Sequence, residues 1–100
     1  MLSFTVNQVL KIPCDVSGGA FPTEYLITVK TGDGSVSGFI SKELVHITGG
    51  DNKGYILGRV IEVQPQHITV QLPGSFFTIA AGRTSVSSGW AREHLQPVAA

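Results

Sequence analysis

Apolar residues fall on every second position in several short runs along the chain. Leu2, Phe4 and Val6 alternate with Ser3, Thr5 and Asn7, and Leu10, Ile12, Cys14 and Val16 then repeat the two-residue period of a half-buried strand. Pro13 occupies the opposite register of that second run. It has no N–H to give to a ladder, so this strand is expected at a sheet edge or on a bend. The stretch "SGGAFP" (17–22) marks a loop. Tyr25, Ile27 and Val29 alternate with Leu26, Thr28 and Lys30, and the "GDG" that follows supplies the positive φ angles of a tight hairpin, with 35–40 as the return strand. Residues 41–46 suit one capped helical turn, and "TGGDNKG" (48–54) is a second loop.

The second half follows the same plan. Tyr55 to Val63 is rich in β-branched residues, with Gly58 marking a bulge or a close backbone approach. "QPQ" turns the chain, and Ile68, Val70 and Leu72 form the clearest alternating strand. Pro73 and Gly74 make another turn, "SFFTI" predicts a short strand, and 84–88 predicts the last strand before "GWAREHL". No helical periodicity persists beyond two turns, and turn signals recur about every 8 to 14 residues. The pattern therefore predicts an all-β fold, a small barrel or sandwich of about seven short antiparallel strands with one or two single-turn helices, in one domain spanning 1–100.

Two stretches resemble each other. "ITVKTGDGSVSGFISKELV" and "ITVQLPGSFFTIAAGRTSVSSGWAREHL" each contain a strand beginning Ile-Thr-Val, a return strand and a short polar segment ending in Leu. What recurs is a hairpin running into a helical turn, with a longer loop in the second copy. Such a unit resembles the closing part of SH3-like barrels. The resemblance implies an SH3-like barrel without implying a function, because those barrels include peptide binders, nucleic-acid binders, ribosomal parts and small oligomeric enzymes. The chain lacks the paired tyrosines and acidic loop of the proline-peptide binders. Its compact form is also similar to the small proteins encoded on mobile integron gene cassettes.

Charge narrows the list of partners. Seven Lys and Arg balance seven Asp and Glu, so no long-range field favours nucleic acid or an anionic membrane face. Charged residues are 14% of the chain, against about 25% in typical domains, while apolar residues make up 42%. A surface so short of charge points to a homo-oligomer or to an apolar face for a small-molecule or peptide ligand. The single cysteine, Cys14, fits a reducing compartment, and the first ten residues have neither a basic leader nor an apolar span. A cytoplasmic protein without membrane contact is expected.

Few residues carry recognisable chemistry. Cys14 alternates with Ile12 and Val16 and is expected to fill the core as a protonated thiol. His46, His67 and His94 lack metal-site spacing, His94 has Glu93 beside it for a local charge pair, and no two carboxylates are placed as an acid–base pair. No catalytic residue, metal or cofactor is expected. Trp90, the sole Trp, either caps the barrel or stands in a groove, where Tyr25 or Tyr55 and the nearby Arg92 are the other binding candidates. Phe76 and Phe77 are neighbours on a predicted strand, so one ring faces outward and is assigned to an interface. Two alternatives remain: an enzyme site shared between subunits, drawing on Arg59, His67, Arg83 and His94, and single-stranded nucleic-acid binding through stacked aromatics, which the neutral charge disfavours.

Overall fold

The alternating run Leu10, Ile12, Cys14 and Val16 becomes the inward face of the first strand, each of the four side chains being buried. The structure is a computed structural model that describes residues 3–19, 21–32, 34–48, 52–76 and 82–98, without the side chains of Ser75 and Phe76. Nine strands lie among these residues: β1 (Val9–Gly18), β2 (Glu24–Lys30), β3 (Ser35–Ser41), β4 (Val45–Ile47), β5 (Lys53–Val63), β6 (His67–Gln71), β7 (Ser75–Phe76), β8 (Arg83–Ser87) and β9 (Gln96–Pro97). A 3-10 turn (Lys42–Leu44) precedes β4, and helix α1 (Ser88–His94) precedes β9. The sheet is antiparallel, in the order β7-β3-β2-β1-β5-β6-β8, with β4 added to β5 and β9 added to β1. It curls into a small half-barrel. Inside lie Leu10, Ile12, Ile27, Ile40, Ile56, Ile68 and Leu95, all almost fully buried, and each such side chain stabilises the fold by about 1.5–3 kcal/mol.

Two expectations change, and an alternative left open at Gly58 resolves. The alternation of 2–6 does not become a strand in its described part. Gln8 closes a turn instead, its N–H donating to the Thr5 carbonyl and its side-chain oxygen accepting from the Thr5 N–H, both at 3.1 Å, while Asn7 takes φ 74°. These local bonds outcompete a ladder. Of the two roles expected for Gly58, the close approach holds: a Cβ there would run into the Ile12 side chain and lie 3.2 Å from the Gln71 carbonyl oxygen, and the bulge falls instead between Val60 and Glu62. The strand count exceeds seven because two- and three-residue strands follow each helical segment, too short to show a period.

The repeated phrase has a structural counterpart. β2 and β3 form a hairpin that runs through the 3-10 turn into β4, and β6 and β8 form a hairpin that runs through α1 into β9. The long strands correspond as well. β1 pairs β9 with its first half and β2 with its second, and β5 pairs β4 with its first half and β6 with its second. Because β1 and β5 are antiparallel neighbours, matched around Ile12 and Ile56, the two halves of the chain are related by an approximate two-fold axis through the sheet. The copies diverge at the aromatic: Phe39 lies within β3, whereas Trp90 lies within α1.

Candidate functional site

The ladder along β1 contains an interruption. The Val16 N–H bonds to the Asn52 carbonyl at 2.8 Å and the Val60 N–H to the Gln8 carbonyl at 2.9 Å, so even-numbered residues of β1 serve the β5 side. Odd-numbered residues serve the opposite edge, as the 2.9 Å bond from the Val98 N–H to the Val9 carbonyl demonstrates. On that edge β9 reaches Leu10 and Lys11, and β2 begins only at Asp15. Pro13 stands in the gap, where its missing N–H would have had no strand to meet. The expectation of an edge or bend at Pro13 is met by a break in the middle of an otherwise paired strand.

A groove opens at this break. One part, of about 390 Å³, is lined by Pro13, Cys14, Asp15, Thr28, Lys30, Thr48, Lys53, Gly54, Trp90 and His94. An adjoining part, of about 370 Å³, shares Pro13, Thr48, Gly54 and His94 and adds Lys11, Tyr55 and Gln96. Cross-strand rows build its floor from solvent-facing positions: Gln96–Lys11, then Pro13–Tyr55, then Thr28–Asp15–Lys53, with Leu57 and His46 continuing the first two rows beyond the lining. Helix α1 supplies the wall.

Local sequence explains that wall. Ser87 caps α1, its Oγ accepting the Trp90 N–H at 3.3 Å, which fixes the helix start one residue after β8 ends. Ala91 and Leu95 then enter the core. Trp90 and His94, four residues apart, share a face of the helix, and their rings stack with centroids 4.8 Å apart and 16° between planes. The Trp90 carbonyl lies 2.9 Å from His94 Nδ1. A carbonyl only accepts, so Nδ1 carries the hydrogen of this bond. Behind the indole, the β2–β3 turn presses Gly32, at φ 93°, so closely that a Cβ there would lie 3.2 Å from the ring. Trp90 thus packs against the core and lines the groove at once.

The floor mixes rings and charges. His46 and Tyr55 stack at 4.8 Å and 9°, and Lys11 Nζ sits 5.1 Å from the Tyr55 ring centroid. Asp15 pairs with Lys53, and that hydrogen bond holds its carboxyl below the usual range, with the charges of Lys53 and Lys30 adding to the effect. Cys14 is buried beneath them. Burial, aided by the Asp15 charge, pushes its thiol up to about 11, so it remains protonated and unsuited to nucleophilic attack at neutral pH. Among the described residues no three His, Cys, Asp or Glu gather as a metal site.

The sequence candidates separate accordingly. Trp90 and Tyr55 line the groove. Tyr25 does not; it packs against the core with Lys42 Nζ 4.9 Å from its ring. Arg92 is exposed and lies outside the groove lining. The Phe76 side chain and all of Phe77 lie outside the described residues, as does 78–79 of the predicted "SFFTI" strand. Arg59 and Arg83 both pair across from Gln71, with Arg83 Nε donating to its side-chain oxygen at 3.1 Å, while His67 faces Ser87. They do not meet His94 within one chain. The charge pair of this region is Lys53–Asp15, and His94 bonds to the Trp90 backbone, where the sequence suggested Glu93. Reasoning from sequence missed Lys11 and Lys53 as groove residues, because cross-strand proximity spans tens of positions. The hint available was Pro13 inside a strand.

Comparison with family models, with curated proteins and with solved structures finds no match. No helix among the described residues is long and apolar enough to cross a membrane.

Proposed function

We propose that the protein is a non-catalytic binding module of SH3-like type and that its ligand lies in the groove at the break in β1. The observation that carries this reading is a pocket of ligand size, built where a strand edge is left open and walled by a stacked Trp–His pair. Three of the seven cationic residues of the chain, Lys11, Lys30 and Lys53, line the groove, against one of its seven carboxylates, Asp15. In a neutral protein that concentration favours a ligand with an anionic group attached to a flat apolar part. The flat part rests on the Trp90–His94 wall, and the anion faces Lys30.

Trp90 is the only Trp, so its emission reports on the site directly. Benzoate and 1-naphthoate, titrated against the corresponding neutral amides, are expected to change Trp90 emission saturably, with the acids binding more tightly. Lys30→Gln is expected to weaken the acids about fivefold, equivalent to about 1 kcal/mol for an exposed ion pair. If neither the emission nor the amide resonances of Lys53, Gly54 and His94 respond to any of these probes, the reading fails.

A further inference from the structure

Among the described strands β8 ends the sheet, and its outer edge has a definite chemistry. The Ser88 N–H bonds to the Gln66 carbonyl at 2.9 Å, and β8 pairs β6 in the same register, Ser87 with His67 through Arg83 with Gln71. Even-numbered residues therefore serve β6. The N–H and C=O groups of Arg83 and Ser85 point away from the sheet, as does the N–H of Ser87, whose carbonyl, at the N-cap, is taken by the first turn of α1. At the opposite end of the sheet, β3 is partly covered by β7 at Gly38 and Phe39, whereas no described strand pairs with the outer edge of β8.

Natural edges are commonly blunted by Lys, Pro or a bulge. β8, "RTSVS", has none of these, and its one charge sits at its first residue. We propose, independently of the ligand reading, that β8 is the contact strand of a homodimer, pairing antiparallel with β8 of a second copy about a two-fold axis at Ser85. The strands match about Ser85: Ser85 exchanges both its bonds with Ser85 of the second copy, and the Ser87 N–H on each side meets the Arg83 carbonyl. The two Arg83 side chains fall at opposite ends of the pair, so no like charges face each other. A second copy also suits a chain with few charges to keep its molecules apart. The contact is short, which places the dimer among weak, concentration-dependent associations.

Ser85→Pro and Ser85→Cys test the pairing. Proline removes an N–H that no bond among the described residues uses, so the fold is retained by circular dichroism and Trp90 emission, and the dimer dissociation constant from sedimentation equilibrium rises at least about tenfold. Under mild oxidation Ser85→Cys gives a covalent dimer, because residues facing each other across such an axis lie within disulfide reach. Wild type, with only the buried Cys14, does not. Ser87→Cys, displaced from the axis, links to itself far more slowly. A wild-type protein that is monomeric at the highest attainable concentration overturns the proposal and leaves the edge to a strand of another protein. An unchanged dimer in folded Ser85→Pro, or equal cross-linking at 85 and 87, overturns it as well. Should Ser85→Pro fail to fold, the cross-linking comparison decides alone.

Discussion

Replacing Gly32 by Ala perturbs the groove from behind. Two costs arise, and they can be measured apart. The backbone at φ 93° lies in a region that L side chains disfavour by about 1–2 kcal/mol, offset in part by the lower entropy of Ala in the unfolded chain. The new Cβ would also stand 3.2, 3.3 and 3.4 Å from Cγ, Cβ and Cδ1 of Trp90. The indole is held by its stack on His94 and by the core, so it yields only a few tenths of an ångström, at about 1 kcal/mol. Together Gly32→Ala is expected to lose about 2 kcal/mol, or about 8–16 °C in Tm for a domain of this size. In a Trp90→Ala background the steric part vanishes and about half the loss remains. Urea unfolding of the wild type, both single variants and the double variant gives the coupling energy by a double-mutant cycle. Circular dichroism serves as the probe, since two of the four proteins lack Trp. A coupling near zero would refute the contact between the turn and the indole, and a loss under about 0.5 kcal/mol in Gly32→Ala would refute the backbone cost too.

Two further predictions concern the wall and the floor. Ser87→Ala removes the cap on the Trp90 N–H and is expected to cost about 1 kcal/mol in urea unfolding, with a shift in Trp90 emission as α1 frays; unchanged stability and emission would remove the capping role. The Cys14 thiol, raised from 9.0 to about 11, binds its proton more firmly in the folded protein, so its contribution to stability is complete below pH 9 and is lost as pH rises from 9 toward 11. Cys14→Ala should lack that alkaline decline. In native wild type at neutral pH, a disulfide reagent should react about a hundredfold more slowly than in the unfolded chain, following the thiolate fraction.

The strands with a clean two-residue period were legible because each has one face in the core: β1, β2, β3, β5, β6 and β8 all follow their alternation. The stretch before Asn7 misled because its alternation is genuine but short, and the Gln8 side chain offers Thr5 a nearer partner than any strand does. β4 and β9 are set by what lies beside them, and two or three residues carry no period, whereas β7 falls in the described part of the strand expected at 75–79. Trp90 could be singled out as the only indole and Cys14 as core by its register. The partnership of Lys53 with Asp15, or of His46 with Tyr55, depends on which strands become neighbours, and that follows from closing the sheet as a whole.

The approximate two-fold arrangement has a consequence for how the chain comes apart. The segment containing β1 to β4 supplies β4 to β5, and the segment containing β5 to β9 supplies β9 to β1. Each half is thus finished only by a strip on loan from the other, with Val45 and Leu95 delivered to the common interior by the same exchange. Melting one half strips the other of its last strand, so the molecule should unravel in a single concerted transition, with no half-folded species accumulating.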